Sequence, residues 1–260
     1  AVWDLAIRRN ANVMIIGDRD AEVIKAHEYL YKPLLMIAQS PAEFLSMLFA
    51  VPLDARTLEE PISSVFHAMD QYQLGAVSRD PDFVSERNAF VEEIIRRITE
   101  NPLLAPEHAR FVRKHLDWLI KAQTLAGWVA YTGAFSHAIG QAKRDDIYDE
   151  FRNRYDPELL IENGADPVIA RHPYFSFLSS DEAFLRLKQL FQSGNVYYFV
   201  GDIFDPRVYI AVGRVANRLR RKVSGYLLSN IVDYVAELYG RMLRHSIEPR
   251  RLLHSLLSLV

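Results

Sequence analysis

Asp145-Asp146-Ile147-Tyr148-Asp149 has the spacing D-D-x-x-D. On a helix, side chains three or four residues apart share a face, so Asp145 or Asp146 stands beside Asp149. Such a group suits Mg²⁺, which takes carboxylate oxygens together with substrate phosphates. The plainer alternative is a solvated helix, because Lys143 to Asp156 mixes acids and bases throughout. The second chemistry-bearing group is basic. Arg207, Arg214, Arg218 and Arg221 fall on one helix face, with Arg220 and Lys222 beside them. Val208, Ile210, Val212, Val215 and Leu219 are expected on the opposite face. An amphipathic basic helix fits anionic lipid headgroups, RNA phosphates or an acidic protein partner. Pairing with acids of the same chain is the competing reading. Eight histidines complete the inventory. His108 and His115 share a helix face, but no Glu-x-x-His or His-Glu-x-x-His accompanies them, and the others are scattered singly.

The aspartate-rich segment resembles the metal motif of all-helical isoprenoid synthases over its five residues. The resemblance implies Mg²⁺ on Asp145, Asp146 and Asp149 and an isoprenoid-type diphosphate as substrate. It also implies a second metal motif, for which Asn230, Asp233 and Glu237 are the nearest residues. They depart from the family pattern: no second acid adjoins Asn230, and no serine or threonine lies between Asp233 and Glu237.

Composition removes other chemistries. The 260 residues contain no cysteine, so disulfides, thiolate metal sites, Fe–S clusters and cysteine nucleophiles are excluded. No phosphate-binding glycine loop, dinucleotide fingerprint or Gly-x-Ser-x-Gly elbow occurs. With half the residues apolar and a quarter charged, the chain is globular rather than disordered. The net charge of −2 conceals an asymmetry. Residues 1–199 carry 21 Lys+Arg against 28 Asp+Glu, whereas 200–260 carry 10 against 5. No DNA partner is expected from such a balance. The chain opens Ala1-Val2-Trp3-Asp4, which leaves open removal of an initiator Met, cleavage of a targeting segment or trimming.

These groups need elements to hold them. Asp and Ser before proline or acid mark helix starts: Ser40-Pro41-x-Glu43, Ser179 with Glu182, Asp80-Pro81, Asn101-Pro102, Asp156-Pro157 and Asp205-Pro206. Periodicity then predicts helices near 20–38 (bent at Pro33), 41–50, 57–74, 81–100, 106–141, 143–154, 157–163, 181–193, 206–222, 225–245 and 249–259. Two apolar runs ending in Gly-Asp, 12–18 and 195–202, read as short strands able to pair. Residues 34–53 are expected as buried core or a partner-facing surface, with a membrane-lying role as the further option. The uncharged stretch 122–142 is long enough to span a bilayer, but its Gln, Thr, Ser, His and Gly residues argue against that.

Within that stretch Ala122, Ala126, Ala130, Ala134, Ala138 and Ala142 recur every four residues. A stripe of methyl groups permits close helix approach, so this segment is expected in a core or at a subunit interface. The fold expected is mainly α: an irregular multi-helix bundle around a long central Ala-striped helix of about 106–141, with one short two-stranded β element. One domain, 1–260, accounts for the pattern, divisible into an acidic body (1–199) and basic C-terminal helices (200–260). The functional expectation is a non-catalytic accessory subunit of a larger assembly, organellar (mitochondrial) and membrane-peripheral. Its partners are other protein subunits, docked at Arg207, Arg214, Arg218, Arg221 and Lys222, where anionic lipid headgroups are a further option. No cofactor is expected, save Mg²⁺ in the diphosphate-enzyme reading. A hydrophobic-ligand or pigment binder is the third class.

Overall fold

The computed structural model describes residues 2–18, 20–76, 81–122, 147–201 and 205–223. Helices dominate. α1 is Val2–Arg8, followed by β1 (Met14–Asp18) and α2 (Ala21–Lys25). A π-helical turn, Ala26–Tyr31, leads directly into α3 (Lys32–Ile37). The deformation that the sequence places at Pro33 therefore lies just before it. Proline has no N–H and its ring crowds the carbonyl four residues back, and the wider turn makes that room. Lys32 N–H accordingly reaches the carbonyl of His27.

Next come α4 (Pro41–Leu48), α5 (Ala55–Leu58), α6 (Ile62–Ala76), α7 (Pro81–Glu100) and α8 (Pro106–Ala122). Ser40 caps α4 as its spacing predicts, its Oγ accepting from Glu43 N–H at 3.1 Å. The Glu43 carboxylate takes the Gln39 N–H, one residue before the cap. Asn101-Pro102 starts no helix: Asn101 closes a turn onto Leu103 N–H, and α8 begins at Pro106.

Leu34, Leu35, Phe44, Leu45, Met47, Ala50 and Val51 are all fully buried. The apolar residues of the run 34–53 are thus mostly core, not a membrane-lying surface, although Gln39 is exposed. α7 and α8 pack side by side, and α8 also lies against the π turn and α3. Among the described residues no helix is long and apolar enough to cross a membrane.

The end of α4 shows how the core tolerates backbone termini. Ala50 takes a left-handed conformation (φ 52°), and the carbonyls of Leu48, Phe49 and Ala50 point inward. Arg87 of α7, 2% exposed, donates Nε to Ala50 O and Nη2 to Phe49 O at 2.9 and 3.1 Å. His115 of α8 places Nε2 3.1 Å from Leu48 O. The end of α3 is treated alike: Arg97 donates to Ile37 O, and buried Lys188 donates to Ala38 O. Cations at helix C-termini also complement the dipole.

The chain continues with α9 (Ile147–Tyr155), α10 (Pro157–Glu162), α11 (Pro167–Ala170), α12 (Asp181–Gln192), β2 (Val196–Val200) and α13 (Pro206–Arg218). Asp156 and Asp205 cap α10 and α13 as predicted. The cap of α12 is Ser180 rather than Ser179: Ser180 Oγ accepts from Ala183 N–H, while Ser179 Oγ accepts from Ser176 N–H. β1 and β2 pair in parallel, Met14 opposite Val196 and Asp18 opposite Val200. The two predicted strands therefore join the N-terminal part of the chain to its C-terminal third. Trp3 reinforces the union, its ring lying edge-on to Phe177 (5.0 Å), Phe191 (5.4 Å), His27 (5.8 Å) and Tyr31 (5.9 Å).

Candidate docking face and polar cleft

The basic helix begins with a neutralised pair. Asp205 accepts from Arg207 N–H to cap α13, and the Arg207 guanidinium folds back onto the same carboxylate at 2.6–2.9 Å. That contact holds the Asp205 carboxyl below the usual carboxylate range and raises Arg207 in turn. Arg207 is therefore spent on the cap, although its side chain is 88% exposed.

The remaining cations differ. Arg214, Arg218, Arg220, Arg221 and Lys222 are exposed. None of them forms an ion pair among the described residues. Elsewhere in the body arginines find acids: Arg97 pairs with Glu43, Arg113 with Glu92, Arg152 with Asp70 and Arg171 with Glu158. Among the described residues, pairing within the chain, the competing reading of the basic run, thus holds for Arg207 alone.

Ile210 is a correction. The sequence puts it opposite the arginines, yet it is 48% exposed. At 100° per residue it lies about 40° from Arg214 and about 60° from Arg207, at the edge of the basic side, while Val208 and Tyr209 turn inward. An apolar side chain therefore flanks the cationic stripe, and Leu219 and Val223 are exposed at its end.

α13 closes in a Schellman motif: Arg220 N–H reaches Asn217 O at 3.0 Å and Arg221 N–H reaches Ala216 O at 2.9 Å. Arg220 takes the left-handed position (φ 51°) that glycine occupies more easily. The strain, on the order of 1 kcal/mol, is accepted at a position that carries charge. α1 ends in the same way, with Asn10 at φ 52°, and Gly194 at φ 72° terminates α12.

These three helix ends border a cleft of about 470 Å³. Asn10 and Asn12 come from the turn before β1, Arg186, Gln189 and Asn195 from α12 and its exit, and Arg221 from the turn after α13. Val13, Leu190 and Leu219 supply its apolar part, and no carboxylate lines it. Composition and spacing did not single out this cleft, because its walls come from three distant segments. The one local trace is Arg186-x-x-Gln189-x-x-x-Ser193, a polar row along one side of an amphipathic helix and its C-cap.

The other predicted sites fall differently. Asp149 is an exposed residue of α9, and Asp145 and Asp146 lie outside the described residues. So do Asn230, Asp233 and Glu237, and Ala126, Ala130, Ala134, Ala138 and Ala142 of the alanine stripe; Ala122 is the last residue of α8. Among the described residues no group of three His, Asp or Glu side chains is arranged to hold a metal.

Residues 161–253 match a family described as a domain of unknown function, DUF7790. The match takes in α12, β2, α13 and two of the three cleft walls, while the Asn10–Val13 wall lies outside it. No curated protein and no solved structure matches the chain.

Proposed function

We propose that this chain is a non-catalytic helical subunit that docks onto an acidic surface of a partner protein through the exposed face of α13 and the turn after it. One observation carries the reading: Arg214, Arg218, Arg220, Arg221 and Lys222 are exposed and lack ion-pair partners among the described residues, whereas eight of the thirteen other described arginines have one. Exposed charge of one sign steers association and selects partners more than it adds affinity. Ile210 and Leu219 offer apolar contact beside it.

Native electrophoresis of an extract, with the chain at its natural level, tests this. The wild type is expected to migrate in an assembly well above 30.0 kDa. Charge reversal at Arg214 and Arg218 is expected to release it as a folded monomer. A wild-type chain that migrates alone overturns the proposal. The exposed Ile210 beside the arginines supports a second reading, in which the same face rests on anionic lipid. Sedimentation with phosphatidylserine vesicles separates the two.

A further inference from the structure

We propose that the cleft between the Asn10–Val13 turn, α12 and the end of α13 is a binding site for a phosphate-monoester group. Two guanidinium groups line it from different walls, Arg186 on α12 and Arg221 after α13. Neither has an ion-pair partner among the described residues. Asn10, Asn12, Gln189 and Asn195 add amide donors, and no carboxylate opposes an anion.

Helix ends are the obvious objection, since α1, α12 and α13 each turn a negative terminus this way. Each is equivalent to roughly half a charge, so three leave about −1.5 against two full positive charges. Schellman bonds also occupy carbonyls at the ends of α1 and α13. Arg218, Arg220 and Lys222 lie within a few residues of Arg221 and add to the positive balance.

The donor layout favours phosphate over carboxylate. A carboxylate has two oxygens in one plane and suits a single guanidinium fork. A phosphate monoester has three peripheral oxygens and can engage both walls together. The volume falls within the range of small-molecule sites, and Val13, Leu190 and Leu219 can cover the carbon part of such a ligand.

The site shares Arg221 and Leu219 with the docking face, but Arg186 lies on α12 and Arg214 and Arg218 do not line the cleft, so variants at these positions separate the two. The test is calorimetric titration of the full chain with inorganic phosphate, glycerol 3-phosphate and phosphatidylcholine vesicles containing phosphatidic acid. Saturable binding of phosphate and of at least one ester is expected. Preference for the soluble ester assigns a small metabolite, and preference for vesicles assigns a lipid headgroup; either supports the site. Arg186→Gln and Arg221→Gln are each expected to weaken binding by about tenfold, the cost of one charged hydrogen bond, with an unchanged unfolding midpoint. Charge reversal at Arg214 and Arg218 is expected to leave phosphate binding saturable. Absence of saturable binding by all three probes overturns the proposal, as does equal binding by wild type and Arg186→Gln.

Discussion

His115 shows what a single residue contributes here. It is 3% exposed, and burial pushes its pKa down to about 4, partly opposed by the Leu48 carbonyl that Nε2 faces. A carbonyl only accepts, so the neutral ring donates from Nε2. The unfolded chain binds this proton near the ordinary histidine value of about 6.5. Between that pH and about 4 the unfolded state therefore holds more protons than the folded one. The histidine's contribution is complete above about 6.5 and is lost as pH falls toward 4, by about 3 kcal/mol at most. His115→Gln keeps an amide donor but cannot titrate. Urea unfolding at several pH values is expected to show a shallower acid decline for this variant. Identical slopes would mean that His115 is not held neutral by the fold. The spacing of His108 and His115 reveals a shared helix face without a metal motif, and nothing more specific. What His115 serves is the end of α4, a role set by a carbonyl that sequence spacing does not reveal.

At the scale of elements, signals held within one segment were legible. Ser40, Asp156 and Asp205 each cap the helix that their spacing to a proline predicts, because capping is a contact between near neighbours. The two strands were likewise legible from their apolar runs. Their parallel direction was not, since it depends on how the intervening helices return the chain. Ile210 departs from its expected face because an apolar residue type does not by itself dictate an inward direction. The β1–β2 pair contains a testable device. Gly17 sits opposite Phe199, and a Cβ on Gly17 would come within 2.0 Å of the Phe199 ring. The ring thus lies over strand backbone where a side chain would stand. Gly17→Ala must displace it and is expected to cost about 1–3 kcal/mol, as overpacking does. In a Phe199→Ala background the same change is expected to cost little, because alanine suits a strand better than glycine. Equal costs in the two backgrounds, measured by denaturant unfolding, would show that the ring does not constrain Gly17.

Across the whole molecule, the two sequence-distant strands and the Trp3 cluster make one structural unit of segments far apart in the chain. Asp4 extends the link, accepting from Phe177 N–H and the Tyr155 hydroxyl at 3.3 Å each. The cleft walls and the docking helix are built on this union: the Asn10–Val13 turn follows α1, and α13 follows β2. Contacts this distant in sequence repay the cost of closing a long loop only when many form together. Loss of one anchor should therefore loosen the whole seam rather than α1 alone. Trp3→Ala removes a buried indole from five aromatic neighbours and is expected to cost about 3–5 kcal/mol. Hydrogen exchange separates the two outcomes. Met14 N–H donates to Asn195 O, and Gly201 N–H donates to Asp18 O, both at 2.9 Å, so these amides report the two ends of the sheet. In Trp3→Ala both are expected to lose protection together, while amides within α7 and α8 keep more of theirs. Undiminished protection at Met14 and Gly201 would show that the sheet holds without α1, and that the cleft walls are fixed by the strands alone.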